Sequence, residues 1–93
     1  MIIVARYAFS VGAKLPITVP WADVAGDNVT SCAVTATGVA TIVTETGRAP
    51  VTADNTTAFW FSNDGTPGLA TVSLVPTSAN GLIDPCAVVL NFQ

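Results

Sequence analysis

The chain has 93 residues, 51% of them hydrophobic and only 10% charged, with a net charge of −3 and no histidine. That length makes one domain with one core and no room for a deep enclosed pocket. Its only basic side chains, Arg6, Lys14 and Arg48, are too few and too scattered to neutralise a phosphate backbone or hold an anionic membrane surface, which excludes nucleic acid and membrane as partners.

Ile2 to Phe9 is apolar and β-branched at its start, and Gly12 ends it. No apolar run here or later reaches the roughly 20 residues of a spanning helix. Arg6 follows the short apolar opening instead of preceding it, the wrong order for an export signal, so the chain is expected to be made and used without secretion. Leu15 to Val19 reads as a short edge strand, because Pro16 and Pro20 remove ladder donors. Ala25 to Asn28 is a turn. From Val29 to Thr37 the residues alternate, with Cys32, Val34 and Ala36 on one face and Ser31, Ala33, Thr35 and Thr37 on the other. Gly38 breaks the run, Ala40 to Thr46 is the next strand, and Glu45 to Arg48 turns. Val51 to Thr56 fits either a short strand or a loop.

Thr57 to Val75 reads as a hairpin. Its first strand sets Ala58, Trp60 and Ser62 against Phe59 and Phe61, the cluster Asn63-Asp-Gly-Thr-Pro-Gly68 is dense in turn formers, and Ala70, Val72 and Leu74 then alternate with Thr71 and Ser73. Pro76 to Gly81 is another turn. Cys86 to Phe92 is the last strand, with Cys86, Val88, Leu90 and Phe92 on one face. Roughly seven short strands with turns about every 8–12 residues make the pattern of an all-β, Ig-like antiparallel sandwich with little or no helix. The predicted core is Cys32, Val34, Trp60, Val72, Leu74, Val88 and Leu90. Trp21 is balanced between plugging the open end of the sandwich and anchoring an interface.

Catalytic chemistry is missing from this reading. Without histidine there is no Ser-His triad and no usual zinc ligand. The carboxylates of Asp23, Asp27, Glu45, Asp54, Asp64 and Asp84 are isolated, nearly all in turns, where such residues cap their own backbone. Asp23, Asp27 and Asn28 could touch a calcium ion, but the loop spacing and the closing glutamate of an EF-hand are missing. The expectation is a non-enzyme with no catalytic, cofactor or metal site. Asn28-Val-Thr30 and Asn55-Thr-Thr57 match the glycosylation pattern by chance if the chain is not exported. Cys32 and Cys86 read first as small buried hydrophobes. The other reading is a staple between two strands that would stabilise by about 4 kcal/mol.

The run Trp21-Ala-Asp-Val-Ala-Gly-Asp-Asn-Val-Thr-Ser-Cys-Ala-Val-Thr-Ala36, a tryptophan, a Gly-Asp turn and an alternating Thr/Ser strand, resembles small virion proteins of tailed bacteriophages. The stretch Phe59 to Gly68, the strand Ala70-Thr-Val-Ser-Leu74, the polar turn Thr77 to Gly81 and the strand Ala87 to Leu90 follow in the family's order, so the likeness covers residues 21–92. It implies an Ig-like sandwich acting by assembly, as a fibre–tail adaptor or connector-associated module in several copies among other virion proteins. A capsid decoration or cement protein is the alternative, and a carbohydrate-binding module with Trp21 or Trp60 stacking on sugar is the second. Where the family has a further tryptophan and acidic residues, this chain has Tyr7, Phe9 and the Pro16/Pro20 segment, and the arginine expected before the last strand is missing from Gly81-Leu-Ile-Asp84. Residues 1–20 lie outside the likeness and carry apolar side chains in both registers. The expected partner contact is therefore Tyr7, Phe9, Leu15 and Ile17, with Trp21 beside them.

Overall fold

The computed structural model describes residues 2–24, 28–82 and 85–93. Its strands are β1 (Ile2–Phe9), β2 (Lys14–Pro20), β3 (Val29–Gly38), β4 (Ala40–Ile42), β5 (Val51–Ala53), β6 (Thr56–Asn63), β7 (Gly68–Ser78), β8 (Gly81–Leu82) and β9 (Cys86–Phe92), and a single helical turn, α1 (Trp21–Val24), follows β2. One sheet runs β1-β9-β7-β3 with β8 on the end of β7, and the other runs β2-β6-β4 with β5 also on β6. The chain crosses between the sheets after β1, β2, β3 and β6, the order of an Ig-like sandwich. One pair departs from the antiparallel expectation: β1 runs parallel to β9, from Ile2 opposite Cys86 to Phe9 opposite Phe92.

The aromatic stretch is strand, turn, strand, but it is not a hairpin. β6 pairs with β2, β4 and β5 in one sheet, and β7 pairs with β3 and β9 in the other, so residues 63–68 carry the chain across the sandwich. The faces of β6 also reverse the expectation. Thr57, Phe59, Phe61 and Asn63 are buried, while Ala58, Trp60 and Ser62 lie on the half-exposed side. Alternation fixes which residues share a face but not which face turns inward. The total apolar surface of each face decides: two phenylalanine rings hide more than one tryptophan flanked by Ala58 and Ser62. Trp60 is therefore not core.

Val72, Leu74, Val88 and Leu90 are at most 1% exposed, as predicted, and are joined by Ile17, Val19, Trp21, Phe59, Phe61 and Phe92. Phe61 lies edge-on to Phe92 with centroids 5.6 Å apart, and Phe9 tilts against Phe61 at 4.8 Å. Cys32 and Val34 face the same interior but are only half-buried, because β3 is the last strand of its sheet. Both thiols are free. Strands β3 and β9 flank β7 on opposite sides, which holds them about 9–10 Å apart and beyond disulfide reach. Smaller differences follow local chemistry. β4 stops at Ile42, β5 is a strand, and β7 continues through Pro76 to Ser78. β5 and β6 are joined by Asp54 and Asn55, both at positive φ (53° and 58°), the pair of left-handed residues that a two-residue hairpin needs. The expected turn at residues 25–28 and the Asp27 and Asp84 carboxylates fall mostly or wholly outside the described residues.

Each end of the sandwich is closed by a buried polar group. At one end the Trp21 indole N–H donates to Thr57 Oγ1 at 2.7 Å, and Thr57 also meets the Thr52 hydroxyl at 2.8 Å. Beside it Asn55 Oδ1 accepts from the Val29 amide at 2.7 Å, and its carbonyl accepts from the Trp21 amide. At the other end the Asn63 side chain, 5% exposed, makes four hydrogen bonds. Its Oδ1 accepts from the amides of Gly12 and Gly65, and its Nδ2 donates to the carbonyls of Val39 and Thr66. Asn63→Ala deletes all four and leaves near-buried backbone groups unpaired. It is expected to cost on the order of 2–4 kcal/mol in urea unfolding. Asn63→Asp would set a second oxygen against the two carbonyls and raise the folded-state pKa of the new carboxyl, so this variant should gain stability as pH falls through that pKa.

Candidate interaction surfaces

The outer face of the β1-β9-β7-β3 sheet is built by register. Ser31, Ala33, Thr35 and Thr37 of β3 lie opposite Thr77, Val75, Ser73 and Thr71 of β7. Val89 and Asn91 of β9 continue those rows to Arg6 and Ala8 of β1, and Ala87 to Ile3. Leu69 (62% exposed), Ile3 (45%) and Val75 (39%) stand out from a carpet of Thr, Ser and Ala, and Arg6 is the one charged residue among those named. Leu69, Val89, Asn91 and Arg6 line a shallow groove of about 310 Å³. A nearly uncharged sheet face with large apolar side chains on it is a surface that loses little on desolvation. Sequence reasoning missed it, although a signal was present: Leu69 and Val75 sit in the Thr71/Ser73 register of β7, out of phase with the core positions.

The five residues expected to contact a partner separate into two groups. Ile17 (6% exposed) and Trp21 (0%) are core, so neither side chain is available at the surface. The reason is topological: β2 forms a full seven-residue pairing with β6, and α1 then turns the indole under the sheet to reach Thr57. Tyr7 and Leu15 are exposed, on edge strands of opposite sheets, while Phe9 is half-buried against Phe61, Phe92 and Tyr7.

On the opposite outer face, the Arg48 guanidinium lies 4.6 Å from the centroid of the Trp60 ring. Glu45 bonds both Arg48 (2.7 Å) and Lys14 (2.9 Å). This triad ties the loop after β4 onto β2 and β6. Hydrogen bonds from Lys14 and then Arg48 hold the Glu45 carboxyl below its ordinary value, and the cation–π contact adds about 0.5–1 kcal/mol at such an exposed site. The guanidinium lies over one face of Trp60, so a sugar stacking on that face would have to displace it. Among the described residues no three His, Cys, Asp or Glu side chains come close enough to hold a metal ion, and no helix is long and apolar enough to cross a membrane.

No protein-family model, no curated protein and no solved structure matches this chain.

Two measurements probe these surfaces. Trp60→Phe should leave a strongly blue-shifted emission from the buried Trp21, while in the parent protein the half-exposed Trp60 adds a red component that iodide quenches. Burial raises the pKa of the Cys32 and Cys86 thiols, so the thiolate is scarce at neutral pH. Alkylation by iodoacetamide should be slow at pH 7, accelerate above the normal thiol range, and proceed faster at half-buried Cys32 than at Cys86.

Proposed function

We propose that this chain is a structural module of a tailed-bacteriophage virion that acts by assembly, in several copies and without a cofactor, as an adaptor between tail and fibre or a module associated with the connector. It would be made in the host cytoplasm and reside in the particle. The observation that carries the reading is the outer face of the β1-β9-β7-β3 sheet, on which Ile3, Leu69, Val75 and Val89 are displayed with a single charge. An apolar face of this kind is kept by a protein whose neighbours cover it. The ordered likeness of residues 21–92 to small phage virion proteins supplies the class of neighbour. A sequence without histidine and the lack of a metal-holding cluster among the described residues fit a role carried by shape and surface.

The test is to replace Leu69 and Val75 together by lysine. Both are exposed, so the variant should melt within about 1 kcal/mol of the parent. It should nevertheless be lost from purified particles, as read by quantitative mass spectrometry. Full incorporation of the folded variant would sink the reading. The same measurement separates an adaptor, present in about a dozen copies by the symmetry of a tail, from a decoration protein present in hundreds.

A further inference from the structure

We infer that β3 is a self-pairing edge: two copies of this chain join antiparallel through β3 about a two-fold axis, fusing their sheets into one. The inference deepens the assembly reading and rests on it.

The sandwich has four strand edges, and three carry devices that discourage pairing. β2 has Pro16, Pro20 and the charged Lys14. The edge opposite it is cut into β4 and β5 of three residues each, with the Glu45–Arg48 ion pair in the loop between them. β1 has a register shift between Ile3 and Ala5 and a charge at Arg6. β3 differs. It is ten residues long, with no charge and no proline, its one irregularity lies at its start between Val29 and Ser31, and its far side pairs with no strand among the described residues. Its outward N–H and C=O groups form a ladder whose natural partner is another extended chain.

Two further features favour a second copy as that chain. Cys32, Val34 and Ala36 point inward yet remain half-buried, and in a two-fold pair each row lies beside its equivalent and completes its burial. Sequential strand directions also matter. β1 is parallel to β9, while β9-β7 and β7-β3 are antiparallel, so β1 and β3 point the same way. Adding one copy's β1 to another's β3 would give a parallel pair, less stable per residue, whereas β3 on β3 is antiparallel and closes as a dimer. A β1–β1 pair would bring Arg6 near its own copy, and β3 holds no like charges to repel.

Sedimentation equilibrium of the full chain should show a reversible dimer. Ala33→Lys with Thr35→Lys, both on the exposed face of β3, should keep the parent's circular dichroism and melting temperature and weaken the dimer by about tenfold or more. Ala8→Lys on β1 should leave it unchanged. A parent protein that stays monomeric at high micromolar concentration overturns the inference, as does a dimer that survives the β3 lysines or dissolves with Ala8→Lys. If the β3 variant is monomeric but still enters particles, self-pairing stands as a property of the chain in solution and is rejected as the means of its assembly. If Leu69/Val75 variants are also retained in particles, the assembly reading itself fails.

Discussion

One buried carboxamide holds the two sheets in their relation to each other. Asn63 ends β6, the central strand of its sheet, at the point where the chain must leave for the other sheet. Its four hydrogen bonds reach the β1–β2 connection at Gly12, the β3–β4 crossing at Val39 and its own turn at Gly65 and Thr66. Each of those segments changes sheet. A turn that merely reversed direction would need only its own backbone hydrogen bonds. A crossing has to be held against its neighbours, and an amide with two donors and two acceptors, all satisfied, does this in a space where an aliphatic side chain would leave four polar groups stranded. Gly38 serves the same corner. Its φ is +89°, and a Cβ there would collide with the Leu69 carbonyl, so the β3–β4 crossing can lie flush against the start of β7.

Strand positions were legible in the sequence because alternation and turn residues are local signals. Ile2–Phe9, the edge character of β2, the alternation of β3 and the last strand all came through, and so did the core positions Val72, Leu74, Val88 and Leu90. What local signals do not carry is the assignment of strands to sheets. The Asn63–Gly68 cluster has hairpin composition, but composition does not say whether the next strand returns beside the first or opposite it. The inward face of β6 escapes local signals for a related reason. Weighing single residues favours Trp60, whereas the fold sums a whole face, and Phe59 with Phe61 outweighs Trp60.

The surfaces were harder to read than the core. In sequence Trp21 is balanced between plugging the open end of the sandwich and anchoring an interface. Its burial depends on Thr57, 36 residues away, whose hydroxyl supplies the acceptor that an indole N–H needs in order to be hidden. Apolar residues in both registers of residues 1–20 point to a surface position for Ile17 when only the sequence is weighed. The surplus instead emerges elsewhere in that segment, at Ile2, Ile3, Tyr7, Val11 and Leu15. The apolar outer face joins β1 at one end of the sequence to β7 and β9 near the other, so no short window of sequence contains it.

The parallel pairing of β1 with β9 sets how the molecule would bear load. The ladder continues past Phe9 and Phe92, where the Gln93 amide donates to the Phe9 carbonyl and the Val11 amide to Gln93. Two strands side by side and running the same way enter at one pole and leave at the other, so Ile2 and Gln93 lie at opposite ends of a ladder about 23 Å long. Tension applied between those ends would pull along the strands and stretch the whole set of hydrogen bonds together, in shear. An antiparallel terminal pair would instead peel apart one bond at a time. The arrangement that closes the edge of the sheet is therefore also a mechanical clamp.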